Sequence, residues 1–276
     1  MTATMTTAMT MTTTPSDVLL FIPNLIGYFR VICTLTSLTL MICVPSTWLL
    51  AILLYLSSFI LDLFDGMAAR KLNQTSSFGG LLDMITDRCS TLGLLYVLGA
   101  ETSTPLFRLG FLMLIILDIS SHWCQQFSTT ALQPTAHHKS EASNAGRFFL
   151  VQWYYKYYWF FGYLCVGAEV FWICRYSLVH VDPSSALSVL VHVLAAVFAP
   201  GCVMKQIINV FQLTSACHAV ASYDAKEAVQ SSKKAYWNNS WAISMHTIGE
   251  GLTCSPIKIL VMSFLVTTRA CREYPL

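Results

Sequence analysis

Charge is what this chain of 276 residues has least of: Asp, Glu, Lys and Arg together make up 11% of it. Soluble domains carry about a quarter, so an ordinary water-soluble globule is excluded. The few charges nearly cancel, to a formal +2, which is too balanced and too sparse for a nucleic-acid-binding surface and argues against nucleic acid as a partner. None of the ten cysteines forms a C-x-x-C pair, so the usual zinc and redox spacings are missing. Most lie in apolar stretches and read as small buried hydrophobes. No G-x-x-x-x-G-K, G-x-S-x-G or H-E-x-x-H occurs, leaving P-loop hydrolysis, serine hydrolase chemistry and zinc proteolysis without their signatures. Residues 1–17 hold eight threonines but no Lys or Arg. They lack a signal-peptide n-region and an Arg-rich transit pattern, and read as a flexible, uncleaved tail.

What is present is apolar. Hydrophobic residues make up 55% of the chain and the mean hydropathy is +0.59, enough for several spans of about 20 residues and one integral membrane domain. Residues 31–61 contain no charged side chain, and Pro45 with Ser46 divides that stretch. The pattern predicts an all-α bundle of six transmembrane helices, over about residues 20–42, 48–66, 79–100, 106–124, 150–174 and 184–223, with a kink or break at Pro200-Gly201. Six spans put both termini on one side. Arg70, Lys71, Lys139, Arg147, Lys226, Lys233 and Lys234 fall on that side, which the positive-inside rule makes cytosolic. The organisation expected is a Thr-rich tail (1–17), a six-helix catalytic domain (18–223) and a cytosolic tail (224–276) that becomes atypical after residue 234. The apolar run at 257–266 is too short to span and suits an interfacial or disordered segment.

Charges within spans are costly and usually functional, and four aspartates break the rule together. Asp62 and Asp65 end the second span; Asp83 and Asp87 open the third. At about 100° per residue each pair shares a helix face, so two antiparallel helices can aim all four inward. Such a set repels itself unless cations neutralise it, and all-oxygen ligands suit Mg²⁺ or Mn²⁺. A two-metal site able to hold the attacking and leaving oxygens of a phosphoryl displacement is the natural inference. Gly66 and Gly79 allow backbone and phosphates close approach, and Arg70 adds a positive fork suited to a diphosphate.

The full pattern is Asp62, Asp65, Gly66, Ala69, Arg70, Gly79, Asp83 and Asp87. It resembles the signature of the CDP-alcohol phosphatidyltransferase family at all eight fixed positions. The flanking residues, Asn24 and Arg30 before the motif, Asn73-Gln74 within it, Arg88 after it and Ser121-His122-Trp123 beyond, resemble the eukaryotic phosphatidylinositol synthase branch. The likeness weakens through the last two spans, where Cys165, Gly167 and Glu169 still match, and stops near Lys234. Two departures stand out: Ala168 where the branch often has Asn, and the 42 residues after Lys234, which have no counterpart.

The resemblance implies transfer of a phosphatidyl group from CDP-diacylglycerol to myo-inositol. Asp62, Asp65, Asp83 and Asp87 would hold two Mg²⁺ or Mn²⁺ ions, Asp87 acting also as general base. Gly66, Arg70 and Ser76 would contact the cytidine diphosphate head group, with Ala69, Gly79, Asn24 and Arg30 as accessory residues. It also implies a homodimer in the endoplasmic reticulum membrane with the site facing the cytosol. Rival readings are a sister enzyme using glycerol 3-phosphate, serine, choline or ethanolamine, an inactive scaffold, and an ion-translocating protein. The last predicts acidic residues through the depth of the bundle or repeated in its second half, and Asp118, Glu169 and Lys205 do not repeat the motif. Elsewhere, His122-Trp123 suits either a cavity wall or an interfacial belt, residues 153–161 an aromatic belt, and His137-His138 a solvated loop. Asn73 and Asn238 match the glycosylation sequon but fall on the cytosolic side.

Overall fold

A computed structural model of the chain describes residues 14–132, 152–153 and 156–251. Every regular element among them is helical. A chain this apolar has no water along its length to satisfy free backbone groups, and helices satisfy them internally. The elements are α1 (Pro15–Leu19), α2 (Ile22–Cys43), a 3₁₀ turn (Pro45–Thr47), α3 (Trp48–Lys71), α4 (Ser77–Glu101), α5 (Pro105–Leu132), α6 (Tyr158–His180) and α7 (Ala186–Gly251). Among the described residues four stretches are long and apolar enough to cross a membrane: Ile22–Cys43, Pro45–Lys71, Pro105–Thr130 and Ala186–Lys234.

Several boundaries differ from expectation, each for a local reason. Part of the expected N-terminal tail is ordered: Thr14 and Asp17 form a reciprocal cap on α1, with the Thr14 N–H donating to Asp17 Oδ2 at 2.8 Å. Those bonds hold the Asp17 carboxyl below its ordinary value. Helix α3 continues past Gly66 to Lys71 because its stop signal comes later, at Asn73, whose φ of 53° is the left-handed conformation Asn tolerates. There the Gln74 N–H donates to the Ala69 carbonyl at 2.9 Å, closing a Schellman turn. Helix α6 begins at Tyr158, later than residue 150, and runs on beyond Cys174.

Pro200 lies inside α7 rather than ending it; its missing N–H leaves one carbonyl without its usual donor. The helix also continues to Gly251, so residues 224–251 are helical where a tail was expected. The threonine stretch up to residue 13, His137-His138 and the run at 257–266 lie outside the described residues, as does the side chain of Asn238.

Contacts divide the chain into residues 1–218 and 219–276. In the first unit, Met41 of α2, Ala51, Ile52 and Tyr55 of α3, and Leu94, Leu95, Val97 and Leu98 of α4 form one apolar cluster. Ala168, Trp172, Ile173 and Tyr176 of α6 and Cys202 of α7 complete it. Between membrane helices apolar contact gives little drive of its own, so close approach and hydroxyl hydrogen bonds matter more. Both occur where α2 meets α3: Ser37 Oγ donates to the Ala51 carbonyl at 2.6 Å, and Thr34 and Ser58 hydroxyls pair at 2.9 Å. At the α2–α4 crossing, a Cβ on Gly93 would run into the Leu38 side chain. Leu53, Ile60, Leu112 and Val203 point outward, as lipid-facing residues do. Of the eight described cysteines, Cys33, Cys174 and Cys202 are buried, whereas Cys43, Cys89 and Cys217 lie on the exterior. The second unit, over residues 219–234, presents an almost wholly exposed surface that includes Lys226, Lys233 and Lys234.

Candidate active site

The end of α3 and the start of α4 are held in place by short-range chemistry. Ser76 caps α4, its Oγ accepting the Gly79 N–H at 3.0 Å. A Cβ on Gly79 would sit 2.8 Å from Asn24 Oδ1 and 3.2 Å from Ser76 Oγ, so only glycine fits there. Asn24 is buried and donates to the Val18 carbonyl at 2.5 Å. Gln74 reaches back to the start of α2, accepting the Ile22 N–H at 3.0 Å. The α3–α4 turn is thereby tied to α1 and α2.

That frame aims Asp62 and Asp65 from α3, and Asp83 and Asp87 from α4, at one point. Arg30 of α2, only 1% exposed, occupies it. Its Nη1 lies 2.9 Å from Asp62 Oδ1, 2.5 Å from Asp65 Oδ2 and 3.1 Å from Asp83 Oδ1, and its Nη2 lies 2.6 Å from Asp87 Oδ1. The Arg30 carbonyl accepts from Ser58 Oγ at 3.1 Å, fixing the backbone beneath. One guanidinium thus meets four carboxylates, and a single positive charge cannot neutralise them all. The four side chains are 13% to 32% exposed, open enough for ligands to reach.

The donor set fits a divalent cation. Asp62, Asp83 and Asp87 each offer a carboxylate oxygen, and these lie within 4.8 Å of one another. The guanidinium already at their centre indicates where positive charge is favoured. Hard oxygen ligands in this number suit Mg²⁺ or Mn²⁺.

The remaining expected residues are placed unequally. The exposed Arg70 lies against Gly66, where a Cβ would meet its guanidinium at an ordinary 3.5 Å, so packing within the chain does not demand glycine there. Ala69 contributes its carbonyl to the turn that ends α3. His122 points inward, its Nδ1 2.8 Å from the Asp118 carbonyl, while Trp123 is 62% exposed and belongs to the outer surface. In the aromatic stretch, Trp153 packs on Tyr157 and Phe160, with ring centroids 5.3 and 4.8 Å apart.

Two buried groupings escaped the sequence reading. Arg88 pairs with Asp118, its Nη1 2.9 and 3.0 Å from the two carboxylate oxygens. Glu169 accepts from Tyr55 at 2.7 Å and from Thr91 at 2.5 Å, and Thr91 also donates to the Asp87 carbonyl at 3.1 Å. Asp118 and Glu169 stood out as charges within spans, and the rule that such charges take partners pointed to neighbours of this kind.

A model of the CDP-alcohol phosphatidyltransferase family matches residues 20–200, which include all four aspartates and Arg30. The chain is 38% identical over 220 residues to the probable CDP-diacylglycerol--inositol 3-phosphatidyltransferase 2 of Arabidopsis thaliana, covering 76% of this chain and 94% of that protein. It is 36% identical over 214 residues to the CDP-diacylglycerol--inositol 3-phosphatidyltransferase of Rattus norvegicus, covering 76% and 96%. The Saccharomyces cerevisiae protein of the same name is 36% identical over 222 residues, covering 80% and 94%. No solved structure matches. With the motif complete, its aspartates converging and the match spanning most of the helical bundle, the chain belongs to the CDP-alcohol phosphatidyltransferase family.

Proposed function

We propose that this chain is a phosphatidylinositol synthase, transferring the phosphatidyl group of CDP-diacylglycerol to myo-inositol and releasing CMP. The observation that carries this reading is the convergence of four carboxylates from two helices on one buried cationic point. The names of the relatives supply the donor and the acceptor.

In this reading Asp62, Asp65, Asp83 and Asp87 hold two Mg²⁺ or Mn²⁺ ions. When bound, the ions lower the pKa of the acceptor hydroxyl and offset the charge that builds on the departing phosphate. Asp87 takes the proton from that hydroxyl. The inositol oxygen then bonds to the phosphorus esterified to diacylglycerol, and the bond from that phosphorus to the bridging oxygen breaks. CMP leaves with the electron pair. Gly66 and Arg70, side by side on α3, bind the cytidine diphosphate, the planar guanidinium suiting two phosphate oxygens at once. Ser76 is retained as a head-group contact. Its bond to the Gly79 N–H also makes it, with Gly79, Asn24 and Ala69, part of the frame that fixes the α3–α4 turn.

Six spans, α2 to α7, account for the bundle. Helices α4 and α6, of 25 and 23 residues, are long enough to cross. The Lys and Arg distribution favours a cytosolic position for the aspartates. Residues 18–223 form the catalytic domain between two terminal segments, and family likeness favours a homodimer in the endoplasmic reticulum.

The test is transfer of labelled myo-inositol into lipid by purified protein in detergent, with CDP-diacylglycerol and Mn²⁺ or Mg²⁺. Incorporation is expected to require both cation and Asp87, and an Asp87→Asn variant to lose at least 10²-fold. CMP release only with glycerol 3-phosphate or serine would move the chain to a sister enzyme.

A further inference from the structure

Two thiols from distant parts of the chain meet away from the aspartates. Cys124 of α5 and Cys217 of α7 are in side-chain hydrogen-bonding contact, and both are free. Their helices face each other through buried polar rows, Asp118, Ser121 and Gln125 on α5 and Lys205, Asn209 and Gln212 on α7. Steps of three and four place each row on one helix face. The rows touch where Asn209 Nδ2 donates to Asp118 Oδ1 at 3.4 Å. Cys124 stands six residues beyond Asp118, and Cys217 eight beyond Asn209. At 1.5 Å per residue these are advances of about 9 and 12 Å in the same direction. The two contacts share one register, so α5 and α7 run side by side and the thiols form their second meeting point.

Cysteines that act only as small apolar filler are buried, as Cys33, Cys174 and Cys202 are. Cys217 is exposed and Cys124 half-covered. Cys124 also lies about 30 Å along α5 from Pro105, the thickness of a hydrocarbon core. The pair therefore stands at the membrane boundary, within reach of a water-borne reagent. Helix α5 returns along α4, so this is the side of the bundle that carries the α3–α4 turn. On the cytosolic face that the Lys and Arg distribution favours, thiols are reduced at rest and a disulfide is a transient, signalling state. An accessible thiol with a second one in contact is the arrangement such chemistry needs.

We propose that Cys124 and Cys217 are a redox-modification site, at which hydrogen peroxide converts the pair to a disulfide that fixes α5 to α7 and slows phosphatidyl transfer until a dithiol reduces it. Cys217, the more exposed, attacks the peroxide as a thiolate; the O–O bond breaks, one water leaves and Cys217 becomes a sulfenic acid. Cys124 Sγ then attacks Cys217 Sγ, the S–O bond breaks, and the hydroxyl departs with the Cys124 proton as a second water. Two thiols are oxidised by two electrons and one peroxide is reduced to two waters. The link reaches the reaction through α5, whose Asp118 holds Arg88 next to Asp87. Bolting α5 to α7 removes the small helix shifts that conformational steps use. Only the effect on rate rests on the reading of the chain as a phosphatidylinositol synthase.

The experiment treats the full chain in detergent with hydrogen peroxide, then with or without dithiothreitol, and reads peptide masses, melting midpoint and initial rate of inositol transfer. A Cys124–Cys217 cross-linked peptide, lighter by two hydrogens, is expected. Because the link closes a loop of about 90 residues, the midpoint should rise by about 5–15 °C. The rate should fall by about threefold or more, and dithiothreitol should reverse all three changes. Cys217→Ser should keep the reduced wild-type rate, form no cross-link and resist peroxide; Cys124→Ala repeats the test should the first variant fold poorly. Two thiols that are alkylated separately after peroxide overturn the site. So does a cross-link that leaves the rate unchanged, or an inhibition that persists in the folded variants. A reduced wild type that transfers another alcohol but no inositol removes the synthase reading alone, since masses, midpoint and the rate with that alcohol still decide the thiol pair.

Discussion

Arg30 is the residue on which the aspartate cluster depends before any cation arrives, and replacing it with Gln tests that directly. Its guanidinium is buried and within 2.5 to 3.1 Å of all four carboxylates. At an effective dielectric near 20, opposite charges 4 Å apart attract by about 4 kcal/mol, and carboxylates crowded together repel on the same scale. Removing one member of a buried charge group typically costs about 3–5 kcal/mol, because the partners stay buried without compensation. At about 2–4 °C per kcal/mol for a chain of this size, Arg30→Gln should lower the melting midpoint in EDTA by about 6–20 °C. Saturating Mn²⁺ should return most of that loss, since in the proposed site a divalent ion would meet the same oxygens. In the wild type the guanidinium competes with the ion for those oxygens, so the Mn²⁺-induced rise should be smaller. Arg30→Lys keeps the charge but loses the second nitrogen that reaches Asp87, and should sit between. The assay is thermal unfolding of detergent-purified protein with and without Mn²⁺. Equal midpoints for wild type and Arg30→Gln in EDTA, or equal Mn²⁺-induced rises, would refute the account.

Three further outcomes follow from separate parts of the fold. Gly79→Ala places a Cβ 2.8 Å from Asn24 Oδ1, and the resulting shift in the frame should cost about 1–3 kcal/mol, read as a lower melting midpoint with a reduced transfer rate. Asn73 carries a φ of 53°; Asn73→Gly should leave the midpoint within about 2 °C, while Asn73→Val should destabilise by about 1–2 kcal/mol. Asp118→Leu strands Arg88, whose Nη1 it holds at 2.9 and 3.0 Å. It should cost about 3–5 kcal/mol, with the paired Arg88→Leu/Asp118→Leu change costing less than Asp118→Leu alone. A double variant no more stable than the single one would show that the pair is not what the single change disrupts.

How much of this was legible in the sequence depends on the range of the interaction. Helix existence rests on local composition, so the uncharged stretches at 31–43 and 48–61 located α2 and α3 well. Ends rest on single residues: the Asn73 turn carried α3 past Gly66 to Lys71, and Pro200, which reads as a break, is accommodated within α7. The aspartates were legible because three- and four-residue spacing fixes a helix face regardless of what packs around it. Arg30 was legible as a partly buried charge in need of a partner such as a phosphate or the aspartate cluster, but nothing local says which, or that a residue of α2 reaches all four carboxylates of α3 and α4.

The Arg88–Asp118 pair lies at the same limit, joining positions 30 residues apart on different helices. Yet the steps of three and four between polar residues on α5 and α7 are as local as those of the aspartates, and were present in the text of the chain. What made one pattern readable and the other not is charge. Four carboxylates facing one another demand cations, whereas amides and hydroxyls on facing helices can satisfy one another, so their spacing alone does not say which of them meet. Charge that must be neutralised is legible in residue spacing alone; which neutral groups bond to which is legible only in the folded chain.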